Sequence, residues 1–323
     1  MISLMRLIDF FLDPRMPQYL PCVKLRQLRR KKLSKIGFSA KTPVLTALTF
    51  DIESDFGSSA SEITSEAAEP FLQRLPALAK ELHAVFTLFV QGNLVAGRAN
   101  QLRELQGEHE IGLHGYAHEL WGKVKWFLSH DPISLQSKQE LLRQSLKSFS
   151  DNSLAPPTSF RAPDLVVDMD TLRLLEENGF TIDSSASSYY GIPPVPTTPL
   201  GSTSRLLSIP ITANPGPRLK MKYFIPYTSY EVFNMTWLTT SDNNHFLDYV
   251  DEVLKFQVNA GVNPYLVFLA HPWEFKEWAN KGKYGYCSSH NYELLRDKFL
   301  LLGERYPLKY IKMKELTGTL SIE

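Results

Sequence analysis

The stretch 113–121 reads LHGYAHELW, with three residues between His114 and His118. If the segment takes a helical turn, residues four apart project from one face and both imidazoles can reach a single ion. A catalytic zinc takes three protein ligands and keeps one position open for water, so a third group must come from elsewhere in the chain. The stretch TFDIESDFG at 49–57 offers it. In an extended strand Asp51 and Glu53, two apart, share one face and look into the same barrel mouth. Glu53 then completes a metal set with His114 and His118, and Asp51 is left to hold a water beside the ion. Taken alone, these two acids also fit an exposed acidic loop; the elements around them decide between the two.

From Thr42 onward, short apolar runs alternate with amphipathic helical patterns, the signature of β/α units around a parallel sheet or barrel. VLTALTFDI, AVFTLFV and EIGLHG read as strands, with helices over EPFLQRLPALAKELH, which contains Pro76, and over QLRELQGEH. A helix starting at Asp131 and Pro132, PTSFRAP as strand and loop, the helix MDTLRLLEENG and the strands FTIDSS and LLSIPIT follow. Two longer helices enclose the strand NPYLVFLAH, and KYIKMKEL closes the pattern with a strand and a helix. Each candidate residue falls at or just after the C-terminal end of a strand. The Pro-rich YYGIPPVPTTPLGS reads as a loop long enough to be a cover.

The 323 residues carry a net charge of +1, and the charge is segregated: residues 1–41 hold ten Lys or Arg and two Asp, a balance of +8, which leaves −7 for the rest. Cys22 and Cys287 form no C-x-x-C unit, so neither a disulfide framework nor a cysteine zinc site is indicated and a reducing compartment fits. The opening apolar run is interrupted by Arg6 and Asp9, is too short to span a bilayer, and lacks the marks of a secretory signal. Leu25, Leu28, Leu33 and Ile36 lie within one arc of a helical wheel among seven basic residues between Lys24 and Lys35. This basic amphipathic helix can lie on an anionic membrane surface; a solvated helix packed on the domain accounts for the same pattern. Nucleic acid is not expected as a partner, since no aromatic residues are interleaved with the charges. The expected organisation is a basic extension over 1–41 followed by one catalytic domain over 42–323, in a cytoplasmic protein, peripheral on the inner face of the membrane if the extension docks there.

The successive motifs FDIE, HGYAH, FRAP, IDSS and LAHP resemble those of the polysaccharide deacetylase family, carbohydrate esterases with the NodB-homology fold. The resemblance runs from about Thr42 to Leu316. It implies an α/β fold, a distorted (β/α)7-type barrel, and hydrolysis of an N-acyl group from an amino sugar with a divalent metal, Zn2+ first and Co2+, Ni2+ or Mn2+ as alternatives. Two departures stand out. The first motif lacks the usual consecutive aspartates and is similar to the D-x-D variant of some intracellular members, with Glu53 where that variant has Asp, and RAPDL lacks an aromatic-glycine ending, which leaves the oxyanion donor unassigned. More narrowly, HxxxHxxW with a later SIPIT is similar to bacterial deformylases of undecaprenyl-phosphate-linked formamidoarabinose, so a polyprenyl-phosphate-linked sugar is a candidate substrate.

The resemblance implies Asp51 as general base, Arg161 as its clamp, and His271 as the acid that protonates the departing amine. Asp183 would orient His271 or brace Arg161; capping the turn after its strand is the other role open to it. Tyr116, Trp121, Trp273 and Glu274 are candidate substrate contacts, with core packing as the alternative for the aromatic ones. Two other functions remain open on the same sequence: an amidohydrolase acting on a small non-sugar amide, and a catalytically silent barrel that binds glycan.

Overall fold

A computed structural model describes residues 43–57, 63–122, 131–186, 195–213, 218–222, 225–229, 231–279 and 284–318. The basic extension, and with it the expected membrane-docking helix, lies outside the described residues, as does the first part of the Pro-rich loop. In chain order the strands are β1 (Val44–Ile52), β2 (Phe86–Val90), β3 (Glu110–Leu113), β4 (Ser159–Phe160), β5 (Ile182–Asp183), β6 (Leu207–Ser208), β7 (Arg218–Lys222), β8 (Ile225–Ser229), β9 (Tyr265–Ala270) and β10 (Leu308–Tyr310). The helices are α1 (Ala68–Leu82), α2 (Ala99–Leu105), α3 (Leu135–Asp151), α4 (Met169–Glu177), α5 (Met235–Thr240), α6 (Asn243–Asn259) and α7 (Asn291–Arg305).

Strands β9, β1, β2, β3, β4, β5 and β6 pair in that order, all parallel, with β10 paired to the start of β1. Between β6 and β9 the wall continues through Thr212, whose N–H donates to the Val267 carbonyl at 3.1 Å and whose Oγ1 accepts from Val267 N–H at 2.8 Å. The result is the distorted parallel α/β barrel expected from the motif order. Antiparallel β7 and β8 form a separate hairpin, which the residue pattern did not suggest, and α5 is a second addition. Helix α3 begins at Leu135, with Ser134 as its N-cap accepting from Ser137 N–H, four residues later than Asp131; Ile133 N–H is instead given to the Leu120 carbonyl at 3.0 Å, which holds this segment outside the helix.

Strand periodicity sorts the core into two layers. On β1, Leu48, Phe50 and Ile52 face outward into the cluster shared with Phe71, Leu72 and Leu75 of α1. Leu45 and Ala47 face inward and join Phe89, Val267 and Leu269 in the barrel interior. Continuing that inward row gives Thr49, Asp51 and Glu53, so the same face that is apolar at the bottom becomes acidic at the mouth. Below, Ile311, Met313 and Leu316 fill the barrel floor. Glu110 fastens this plug: it accepts from Thr87 Oγ1 at 3.0 Å and from Lys314 N–H at 3.0 Å, and Ser159 Oγ donates to its other oxygen.

Gly112 of β3 is needed where it stands. A Cβ there would lie 2.8 Å from the Phe89 ring and 2.9 Å from the Ser159 carbonyl oxygen, neither of which has room to move. Gly112→Ala is expected to destabilise the protein by about 1–3 kcal/mol in urea unfolding, the usual cost of overpacking. Gly97→Ala, where a Cβ would meet nothing within 4 Å, should change the midpoint little.

Candidate active site

At the C-terminal mouth of the barrel, Asp51, Glu53, His114, His118, Asp164, His271, Trp273, Tyr284 and Tyr286 are among the residues lining a cavity of about 380 Å³. The two acids arrive from the end of β1, His114 from the end of β3, Arg161 from the end of β4 and His271 from the end of β9. HGYAH is not a helical turn. Gly115 (φ +61°) and His118 (φ +66°) are both left-handed, and this bend, rather than helical spacing, brings the second imidazole back over the first. Left-handed backbone costs a non-glycine residue of order 1–3 kcal/mol, and it recurs at binding sites for that reason.

The convergence centres on one oxygen. Glu53 Oε2 lies 3.0 Å from His114 Nε2 and 2.9 Å from His118 Nε2. The ligand atoms of these three residues all fall within 4.8 Å of one another. Two ligands about 2.1 Å from one tetrahedral ion stand about 3.4 Å apart, so the set fits a cation with a small adjustment. Its two nitrogens and one carboxylate oxygen suit zinc and its first-row neighbours. His114 Nδ1 is buried with no hydrogen-bond partner, and Asp51 Oδ2 stands 3.9 Å from it. The site calls for positive charge: burial opposes ionisation of Glu53, but hydrogen bonds from His114 and His118 outweigh it and hold the carboxyl well below its usual range. His118 is the counterpart; burial works against its charged form, yet Glu53 raises it to about 9.

Asp51 stands beside this set and is 2% exposed. Its Oδ1 accepts from Arg161 Nη1 at 2.7 Å, so Oδ2 faces the cavity. Arg161 is fully buried, and its remaining donors go to Thr49 Oγ1 at 2.8 Å, Ser184 Oγ at 2.9 Å and the Ser184 carbonyl at 3.3 Å. Its guanidinium lies 4.2 Å from the Phe89 ring centroid. Asp183 does not bond His271: its Oδ1 accepts from Ser185 N–H at 3.0 Å and its Oδ2 from Ser208 Oγ at 2.8 Å. Burial pushes its carboxyl up, against those hydrogen bonds and the nearby Arg161 charge. The bond from Ser185 N–H, two residues on, is the turn cap named as the alternative role of Asp183, and toward Arg161 it offers its charge without a hydrogen bond.

Glu274, expected as a substrate contact, is instead buried at 2% with both oxygens engaged. Oε2 accepts from the His271 backbone N–H at 2.8 Å and faces His271 Nδ1 at 3.2 Å, while Oε1 accepts from Tyr286 Oη at 3.1 Å. Glu274 therefore orients His271, the task foreseen for Asp183, and leaves Nε2 turned to Glu53 Oε1 at 3.8 Å. Burial disfavours the imidazolium, but the Glu274 charge outweighs it and raises His271 to about 9. His271-Pro-Trp-Glu274 closes as a capping box with proline at the first helical position, with His in place of the Ser or Thr usual at its start.

Trp121 is corrected as well. It is fully buried, packs edge-on against Phe160 at 5.3 Å, and donates its indole N–H to Glu119 Oε1 at 2.9 Å, so it supports the loop and does not reach the cavity. Tyr116 is half-buried and packs against Gly92, away from the cavity lining. Trp273 does line the cavity, stacks on His271 with centroids 4.8 Å apart, and donates to Glu53 Oε1 at 3.3 Å. Phe56 and Tyr284 extend this aromatic wall, their centroids 4.6 Å apart; neither stood out in the sequence. The third acid of the first motif, Asp55, points away and accepts from Thr64 Oγ1 and from the N–H groups of Glu66 and Ala67, fixing the approach to α1.

Removing one partner of a buried ion pair leaves the other uncompensated, typically at about 3–5 kcal/mol. Arg161→Met is therefore expected to lower unfolding stability by that order, and Arg161→Met with Asp51→Asn to recover part of it, as a double-mutant cycle in urea would read out.

The model described as polysaccharide deacetylase matches residues 40–182. A Helicobacter pylori protein named peptidoglycan deacetylase is 31% identical over 122 residues, covering 37% of this chain and 38% of that protein, so the match spans well under half of the relative's length. Among solved structures, a "probable polysaccharide deacetylase" from Pseudomonas aeruginosa PAO1 aligns with a TM-score of 0.57 at 13% identity over 86% of this chain and 91% of that one. Puue allantoinase aligns with a TM-score of 0.53 at 13% identity over 87% and 91%; at such identities the likeness is one of fold. No described helix is long and apolar enough to cross a membrane. Residues 40–182, which include Asp51, Glu53, His114, His118 and Arg161, thus carry the sequence signature of a polysaccharide deacetylase domain, set on the barrel of these solved structures.

Proposed function

We propose that the protein is a metal-dependent hydrolase that removes an N-acyl group, acetyl or formyl, from an amino sugar of a glycan or lipid-linked saccharide. The observation that carries this reading is the single carboxylate oxygen of Glu53 facing two imidazole nitrogens at 2.9 and 3.0 Å, beside an acid clamped by a buried arginine. Glu53, His114 and His118 would hold the cation. Bound there, a divalent ion supplies Lewis acidity, polarising a carbonyl and lowering the pKa of a water from about 15.7 toward about 7.

The chain's own groups divide the proton work. Asp51, held by Arg161 with Oδ2 toward the cavity, accepts a proton as the water oxygen adds to the acyl carbon. His271, oriented by Glu274 and pulled up to about 9, is charged at neutral pH and gives its proton to the nitrogen as the carbon–nitrogen bond breaks. The products are a free amine and a carboxylate. The wall of Phe56, Trp273 and Tyr284 suits the apolar face of a sugar ring. The peptidoglycan deacetylase match supports an acylated glycan, and the +8 of residues 1–41 supports docking on anionic lipid and a polyprenyl-linked form of the substrate.

His114→Ala is expected to leave a folded protein with far less than one equivalent of Zn2+ by elemental analysis; stoichiometric metal in that variant would overturn the ligand set. Asp51→Asn should retain metal yet lose about 10²–10⁴-fold in hydrolysis of an N-acetylated chito-oligosaccharide followed by mass spectrometry, the usual contribution of a general base. Deleting residues 1–36 should abolish sedimentation with anionic vesicles while sparing hydrolysis of a short soluble substrate.

A further inference from the structure

The metal reading asks much of the three residues between His114 and His118, and the side chain that follows them answers for it. Glu119 folds back into its own loop. Its Oε1 accepts from Tyr116 N–H at 2.7 Å and from the Trp121 indole N–H at 2.9 Å, and its Oε2 accepts from Ala117 N–H at 2.6 Å. Two consecutive amides and an indole thus converge on one carboxylate in the bend that joins the two imidazoles.

The surroundings leave this bend little freedom. A Cβ at Gly115 would come within 2.9 Å of Trp121 Nε1 and 3.1 Å of Glu119 Oε1, so the carboxylate and indole are pressed against the backbone they serve. Trp121 itself is fully buried and cannot swing away. On the other side, Gly92 N–H and Asn93 N–H donate to the carbonyls of Gly115 and Tyr116 at 2.9 and 3.0 Å, so the loop's oxygens are anchored to the barrel and its amides to Glu119. A charged acceptor makes shorter and stronger hydrogen bonds than a neutral one, which suits a bend held in a left-handed conformation at His118.

We infer that Glu119 is a positioning residue whose carboxylate presets the loop so that His118 stands against Glu53, and that it thereby sets the affinity of the site for a divalent cation. This rests on the metal reading proposed above. Without the carboxylate, the amides of Tyr116 and Ala117 turn to water, the left-handed bend at His118 relaxes, and the ligand set falls from three groups toward two.

The test uses the full chain stripped of metal, with Glu119→Ala and Glu119→Gln beside the wild type. Zn2+ affinity is read by competition with a chromophoric chelator, coordination by the visible absorption of Co2+, and stability of the metal-free forms by urea unfolding. Glu119→Ala is expected to bind Zn2+ about 10–100-fold more weakly, the usual effect of losing a group that orients a ligand, with a Co2+ spectrum altered by loss of one nitrogen ligand. Glu119→Gln retains one oxygen for Tyr116 and Trp121 but turns an NH2 toward the Ala117 N–H, so it should fall between; it carries the test if the alanine variant does not fold. Wild-type affinity and spectrum in both variants would overturn the inference. So would weakened binding with an unchanged Co2+ spectrum and a matching fall in the urea midpoint, which would make Glu119 a structural brace alone. A wild type that takes up no metal would overturn the metal reading itself, and this inference with it.

Discussion

Two carboxylates placed two residues apart at the end of β1 point into the mouth of a barrel where both are buried, and each must be compensated where it stands. Burying an unpaired anion costs far more than a domain's net stability can absorb. The molecule answers the two charges differently. Asp51 receives a permanent cation, Arg161, whose own donors are spent on Thr49 and Ser184 so that it cannot withdraw. Glu53 receives two imidazoles, those of His114 and His118, on one oxygen. One acid is held by a guanidinium and the other by two imidazole nitrogens, and the proposed division into base and metal ligand rests on that asymmetry.

Strand periodicity makes the arrangement cheap to build. The inward row of β1 passes from Leu45 and Ala47 through Thr49 to Asp51 and Glu53, and that of β9 from Tyr265, Val267 and Leu269 to His271. The floor of the barrel and the chemistry at its mouth are therefore consecutive entries on the same faces, and a one-residue slip in register would exchange them for the outward residues packed on α1.

This periodicity is also why so much of the fold and of the candidate site is legible in the sequence. Asp51, Glu53, His114, His118, Arg161 and His271 sit at strand ends, where local pattern gives both the element and the direction of the side chain, and their order along the chain carried the rest. What stayed hidden was the next layer out. Glu119 and Asp55 bond mainly to backbone amides of neighbouring loop residues, an interaction that leaves no period and reads in sequence as ordinary surface acid. Trp121 and Glu274 were visible as unusual residues near the site, but a sequence does not say whether an aromatic ring or a carboxylate near a cavity faces it or braces what does. A spacing of four fits a helical turn and this bend alike, and the left-handed backbone at Gly115 and His118 distinguishes them.

The parallel order of the strands has a consequence in time as well as in space. β1 supplies both acids, yet its neighbour β9 begins at Tyr265, and the plug that closes the floor ties Met313 to Thr87 across 226 positions. While the chain is being made, Asp51 and Glu53 wait, with one flank of their strand uncovered, until Tyr265 and the residues after it are synthesised. Non-local closure of this kind folds slowly and exposes an unpaired edge meanwhile. Asp51 and Glu53 precede β9 and the barrel floor in the order of synthesis, whereas His271 follows β9, so a ribosome-bound chain stalled before β9 would hold the two acids with neither His271 nor a closed barrel around them.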